Sequence, residues 1–429
     1  MLGAAAAASC SEPEPPPPPI VERAPARQAW GPGWTPRLPE RRAEPAPSLL
    51  GRAPGVDRGE VLAPLARAIE RATDGGRAVS VVAWGASHTA CDHWTGALRE
   101  ALQERYGDGG RGFTFPVWPN DHSYWQFGAT VDQGTGWTRF RLGKDRSVPD
   151  HYGIAGIYFS SEGRAAHARV AIEHADRVTL HHRVAPGAGR YAVWVDGEER
   201  TTVDTAGPSV DSGSVEVALG DAGPHEVELR AEAGAPVVLY GLDFRAGTGG
   251  VVVHNLGLAG SRARYHHKWL DPVHSTQMAA VQPDLLVFAY GGNEANDFGE
   301  PMSRFAGQFE RAIARAQELA PDAACLVMGP PDKPVERVGG WEPRGRSLAI
   351  ARIEERVAER RGCAYFDTLA FMGGPLSMVD WVQASPKMAR DDYVHFTARG
   401  YARLGEALVA GLDEAGALPR PSVSSRPSR

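Results

Sequence analysis

Apolar and polar residues follow two textures along this chain. Near both ends, short continuously apolar runs alternate with segments whose apolar residues recur every three or four positions. Leu62, Leu65 and Ile69 stand at helical spacing, and the run VSVVAW at 79–84 follows them. A helix is expected from about Thr89 to Tyr106, with Trp94, Leu98 and Leu102 on one face. The alternation resumes at 251. Strand-like runs fall at 251–253, 285–290, 324–328 and 364–367. Helices between them are marked by Phe305, Phe309 and Ile313 and by Ile350, Ile353 and Val357. A last helix carries Tyr401, Leu404, Leu408 and Leu412. Five short strands without polar alternation, with helices between them, predict a parallel sheet covered on both faces. The expected fold is therefore a three-layer, doubly wound, flavodoxin-like α/β domain. Ligands bind such sheets at the carboxyl ends of the strands.

The middle of the chain reads differently. RVTLHHRV, YAVWVDGEERTTVD, SVEVALG, HEVELRAEA and APVVLYGLDF are strand-like, and Pro186-Gly187, Asp196-Gly197 and Gly223-Pro224 separate them as turns. This predicts an all-β sandwich inserted into a loop of the α/β domain. The expected organisation is a Pro-rich tether over 1–50, a first α/β part over 51–116 and the inserted sandwich over 117–248. The second α/β part runs over 249–417, with a polar tail over 418–429.

Composition narrows the class. The chain has 429 residues, 42% of them hydrophobic and 23% charged, with a net charge of −6. No basic stripe suggests a nucleic-acid partner, and no apolar run is long enough to span a bilayer. No Cys-x-x-Cys or His-Glu-x-x-His pattern is present, so no metal or organic cofactor is expected. Of the four cysteines, Cys325 and Cys363 could meet if their strands are neighbours, but the plain expectation is two buried free thiols. Cys10 differs. It follows Ala7-Ala8-Ser9 and precedes SEPEPPPPP, and this resembles a bacterial lipoprotein processing site followed by a tether. A basic leading segment is missing, and Ala7 stands where leucine is usual. The expectation is an exported, periplasmic or cell-envelope protein whose link to a membrane is a lipid on Cys10.

Four segments fall at expected strand ends. They are Gly85-Ala86-Ser87-His88, the stretch from Asn255 to Ser261, Gly291-Gly292-Asn293-Glu294 and Asp392-Tyr393-Val394-His395. Singly, each has a structural reading: a helix cap for Ser87, turns for the glycines, surface capping for Asp392. Trp118, Tyr124, Trp125 and Trp137 could stack on sugars or pack between domains. His266 and His267 read as solvated, and Cys91 as core-facing. Together the four segments fit a serine hydrolase. His395 can take the Ser87 proton, and Asp392 can hold the other ring nitrogen. The N–H groups of Ser87 and Gly260 and the side-chain amide of Asn293 can serve as an oxyanion hole.

The combination resembles the SGNH (GDSL-type) hydrolase superfamily, whose serine, glycine, asparagine and Asp-x-x-His blocks correspond to these segments in this order. The resemblance implies a catalytic triad of Ser87, His395 and Asp392, and an oxyanion hole of Ser87, Gly260 and Asn293. It departs at Ala86, where the family usually has aspartate. SHTACDHWTGALREALQERYGDGGRGF, YGGNEAND, MGPPD and MGGPLSMVDW resemble, more narrowly, bacterial peptidoglycan O-acetylesterases of that superfamily, which carry an inserted carbohydrate-binding-module-like sandwich. That implies an acetylated cell-wall polysaccharide as substrate. An O-acetyltransferase would use the same triad. A carbohydrate-binding protein with an inactive hydrolase domain is a third reading, favoured only by Ala86.

Overall fold

The computed structural model describes residues 58–119, 126–132, 134–144 and 150–420. Cys10, Tyr124 and Trp125 lie outside the described residues. Five parallel strands form the central sheet: β1 (Val79–Gly85), β2 (Val251–Gly257), β3 (Leu285–Ala289), β4 (Ala324–Met328) and β5 (Ala364–Phe366). Their order is β2-β1-β3-β4-β5, with Val81 beside both Val253 and Leu285. Alternate residues of each strand serve opposite faces. Val82, Trp84, Leu286, Phe288 and Val327 meet Phe305, Phe309, Ile313, Ile350 and Val357 on one side. Val81, Ala83, Val253, Val287 and Leu326 meet the helices Arg58–Thr73, His93–Tyr106 and Ala398–Glu414 on the other. This is the expected three-layer domain.

Between β1 and β2 the chain builds an antiparallel β domain. Its spine is a long hairpin of Ala166–Val184 and Asp211–Ala231. Register shifts between Ile172 and Arg177 divide the hairpin into two halves. One half pairs with Arg190–Val195, the other with Val238–Arg245. The Tyr191 hydroxyl and His182 Nδ1, from different halves, lie 3.1 Å apart. The two faces of the expected sandwich therefore belong to one nine-stranded, hydrogen-bonded sheet. It includes Gly112–Thr114, which pairs with 242–244 and precedes the expected start at 117. Trp118 and Trp137 pack against the core. The β domain shares its core with one face of the α/β sheet, and Trp84 Nε1 donates to the Ile154 carbonyl at 2.8 Å. Among the described residues no helix is long and apolar enough to cross a membrane.

One cysteine expectation is overturned. Cys325 lies on β4, and Cys363 directly precedes β5, the strand beside it. Their Cα atoms are 4.6 Å apart and the two are joined by a disulfide, so they are not free thiols. The bond closes a loop with a sequence separation of 38. Replacing both cysteines by alanine is expected to lower unfolding free energy by about 3–4 kcal/mol, read as a fall in the urea midpoint. An unchanged midpoint, with the bond verified in the parent protein, would refute this.

Candidate active site

β1 ends on Gly85, where any side chain would overlap the Thr89 hydroxyl, so the chain can turn tightly into the helix Ser87–Ala90. Ala86 is the residue in the capping position, with φ −101° and ψ −144° and no side-chain bond. Ser87 is therefore not the cap, and its hydroxyl is left for another partner. Ser87 Oγ lies 2.8 Å from His395 Nε2. The helix is a single turn, so its dipole contributes little at Ser87.

The helix expected from Thr89 is broken at Asp92, which takes φ 53° before the helix His93–Tyr106 begins. Aspartate tolerates this left-handed conformation better than most residues. The Asp92 side chain is fully buried and accepts from Thr95, Arg99, Arg111, the Phe127 N–H and Asn255. Burial alone would raise its pKa, but the Arg111 and Arg99 guanidiniums prevail and bring it to about 2. Asn255, from the glycine block, links this cluster to the serine turn. Its amide donates to Thr89 O at 2.7 Å, and its Oδ1 accepts the Gly257 N–H.

His395 and Asp392 come from the turn before the last long helix. His395 Nδ1 is 2.7 Å from Asp392 Oδ2. Asp392 Oδ1 accepts the N–H groups of Val394 and His395, both at 2.9 Å. Partial burial opposes the Asp392 charge, but these bonds outweigh it and hold its carboxyl well below the usual range. A second histidine, His88, packs beside the first, with ring centroids 5.2 Å apart and Nδ1 2.9 Å from the Tyr401 hydroxyl. Burial holds the His88 pKa well below its ordinary value, so a neutral ring flanks His395.

Asn293 follows β3 and donates to the Ser261 carbonyl at 2.9 Å. A primary amide has two N–H donors, so this bond orients the group and leaves a second hydrogen. Gly260 has φ 79°, and a Cβ there would come within 2.8 Å of Lys144 Cε. Glycine fits both the dihedral and the close approach. The two loops are braced further by residues the motif reading passes over. Glu294 accepts from Ala263 N and Gly291 N, one with each carboxylate oxygen. Arg262 binds Asp297 through two bonds of 2.8 Å and donates to Gly260 O at 3.1 Å.

A pocket opens beside Ser87. Its wall includes Asn293, Tyr290, Lys333 and Val394 but not Gly260. His266 is buried behind it, at 2.9 Å from the Tyr290 hydroxyl and against Trp84 and Trp269. The aromatic packing removes it from the solvent expected for it, whereas His267 is exposed. Cys91 is buried, and burial pushes its thiol pKa up to about 12, which makes it a poor nucleophile. No group of three or more potential metal ligands occurs among the described residues.

Residues 228–403 match the GDSL-like lipase/acylhydrolase family. The match takes in the glycine, asparagine and Asp-x-x-His blocks, and Ser87 lies outside it. A solved peptidoglycan O-acetylesterase aligns over 85% of this chain and 97% of its own, with 23% identity and a TM-score of 0.67. A lipase/acylhydrolase from Enterococcus faecalis aligns over 41% of this chain and 80% of its own, with 20% identity and a TM-score of 0.31. A family two carbohydrate esterase from Cellvibrio japonicus aligns over 67% and 97%, with 10% identity and a TM-score of 0.27. No curated protein sequence matches. The sheet order and the family match agree: residues 228–403 are similar to the GDSL-like lipase/acylhydrolase family, and the chain shares the fold of the aligned peptidoglycan O-acetylesterase.

Proposed function

We propose that the protein is a serine esterase that removes O-acetyl groups from a cell-wall polysaccharide of the peptidoglycan type. The observation that carries this reading is the hydrogen-bonded relay Ser87–His395–Asp392 beside Asn293 at the carboxyl edge of the sheet. His395 Nε2 takes the Ser87 proton as Oγ attacks the acetyl carbonyl carbon. The carbonyl oxygen becomes an oxyanion, and Asn293, with the backbone N–H groups of Ser87 and Gly260, stabilises it. Collapse expels the sugar oxygen, which takes the proton from His395 and leaves acetyl on Ser87. Water, deprotonated by His395, then releases acetate and restores the serine. Asp392 holds the ring orientation and offsets the imidazolium charge. The structural likeness to a peptidoglycan O-acetylesterase across both domains supports the substrate class.

Acetate release from O-acetylated peptidoglycan and from 4-nitrophenyl acetate tests the reading. Turnover of the small ester with no release from any acetylated polysaccharide would overturn the substrate; no release from either would overturn the activity. Asn293→Ala is expected to lower kcat by about 10²- to 10³-fold on the small ester. A loss confined to KM would remove Asn293 from the oxyanion site.

A cell-wall substrate calls for export. The Cys325–Cys363 disulfide supports an oxidising compartment, and a lipid on Cys10 remains the proposed anchor.

A further inference from the structure

The rim of the pocket carries features that the hydrolytic reading does not use. After β4 the chain leaves the pocket wall at Lys333, forms a hairpin of Val335–Arg337 and Gly340–Glu342, and returns to the wall at Ser347. The hairpin pairs with neither main sheet. Its Trp341 ring packs on Tyr393, centroids 4.0 Å apart, and Tyr393 stands between Asp392 and His395. On the other side of the hairpin's foot, Phe298 is 71% exposed with the Arg344 guanidinium 5.9 Å from its ring centroid. Arg344 Nε finds no hydrogen-bond partner among the described residues. Phe298 and Val338 are the two large apolar side chains exposed among the described residues; Val338 is at the hairpin tip and Phe298 lies against Arg344, just past the hairpin's second strand. Exposed apolar surface gathered at one place marks a binding site more often than chance exposure does.

We propose that this rim is a glycan-strand subsite, with Trp341, Tyr393 and Phe298 taking the sugars that flank the acetylated one. Aromatic faces match the C–H faces of pyranose rings, and the Arg344 guanidinium can donate to hydroxyl or carboxylate groups along the strand. An acetyl group on a polymer arrives attached to neighbouring sugars, and Val394, beside Tyr393 in sequence, lines the pocket at Ser87, so the hairpin stands next to the place where they lie. The proposal rests on the esterase reading for the identity of the polymer.

Two measurements test it and separate its failure from that of the esterase reading. In the first, kcat/KM is compared on O-acetylated peptidoglycan and on 4-nitrophenyl acetate for wild type, Trp341→Ala and Phe298→Ala. The polymer-to-ester ratio is expected to fall about tenfold or more in each variant, through KM. Equal losses on both substrates would mean that the hairpin only steadies the catalytic turn, and would overturn the subsite. Phe298→Ala, away from that turn, keeps the test valid if Trp341→Ala folds poorly. In the second, Ser87→Ala protein is titrated with soluble, deacetylated peptidoglycan strands. Binding is expected, and weakened about tenfold by Trp341→Ala in the same background. No binding, or binding indifferent to Trp341 and Phe298, would overturn the subsite. Binding that depends on the rim, with no acetate released from the polymer by wild type, would sink the esterase reading alone.

Discussion

Ser87→Ala is expected to reduce kcat on a small acetyl ester by about 10⁴- to 10⁶-fold. The reasoning starts from what the hydroxyl does in the resting protein. Ala86, not Ser87, caps the one-turn helix, and Oγ bonds His395 Nε2. Removing Oγ therefore takes away a single hydrogen bond, worth about 1 kcal/mol, and the fold should survive. His395→Ala should cost about as much, because a serine without its base and a base without its serine fail at the same step. The double variant should then be little worse than either single one. Active-site titration must accompany the kinetics, since trace wild type would mask losses of this size. A Ser87→Ala protein with activity near wild type would end the assignment. Losses that multiply in the double variant would show that the two residues act independently.

Much of this arrangement was legible before the fold. The strands β1, β3 and β4 are continuously apolar because both faces of each are buried, so they read as sheet core without help from any neighbour. Three of the four site blocks were legible because they sit at the ends of β1, β2 and β3, and the fourth, Asp392 to His395, because it directly precedes the last helix. What escaped depends on contacts between distant segments. Cys325 and Cys363 are ordinary buried cysteines until β4 and β5 prove adjacent. The break at Asp92 has no local signal of its own. It reflects a carboxylate held by Arg99, Arg111, Thr95 and Asn255, two of them far along the chain. Trp94, Leu98 and Leu102 all follow the break, so their helical spacing carries no sign of it.

The same contrast applies within the site. Asn293 was legible as a donor, but the brace that fixes it was not. Glu294 and Asp297 look like surface acids beside a glycine turn. In the fold they face Ala263, Arg262 and Arg264 from the neighbouring loop. Ala86 is also clearer now. The serine turn is tied to its surroundings by Asn255, through Thr89 O and the buried Asp92 cluster. The departure from the family pattern, the one feature that favoured an inactive domain, thus coexists with a Ser–His–Asp relay at hydrogen-bonding distance throughout.

Asp392→Asn is expected to lower kcat by about 10⁴-fold at neutral pH, with the fold retained. The two carboxylate oxygens have different partners, and this decides how the amide would sit. Oδ1 accepts two backbone N–H groups, from Val394 and His395. An amide in its place must put its oxygen there, since an NH₂ group would meet two donors and could accept from neither. The NH₂ then occupies the Oδ2 position, 2.7 Å from His395 Nδ1. It donates to that nitrogen, so the ring carries its proton on Nε2, facing Ser87. An Nε2–H cannot take the serine proton. The variant thus loses both the negative charge that steadies the imidazolium and the tautomer that starts the reaction, while the turn keeps its two backbone bonds. Its melting temperature should stay close to wild type. A loss of less than about tenfold, with the imidazole Nδ1 protonated by nitrogen NMR, would show that Asp392 holds the turn and takes no part in the relay.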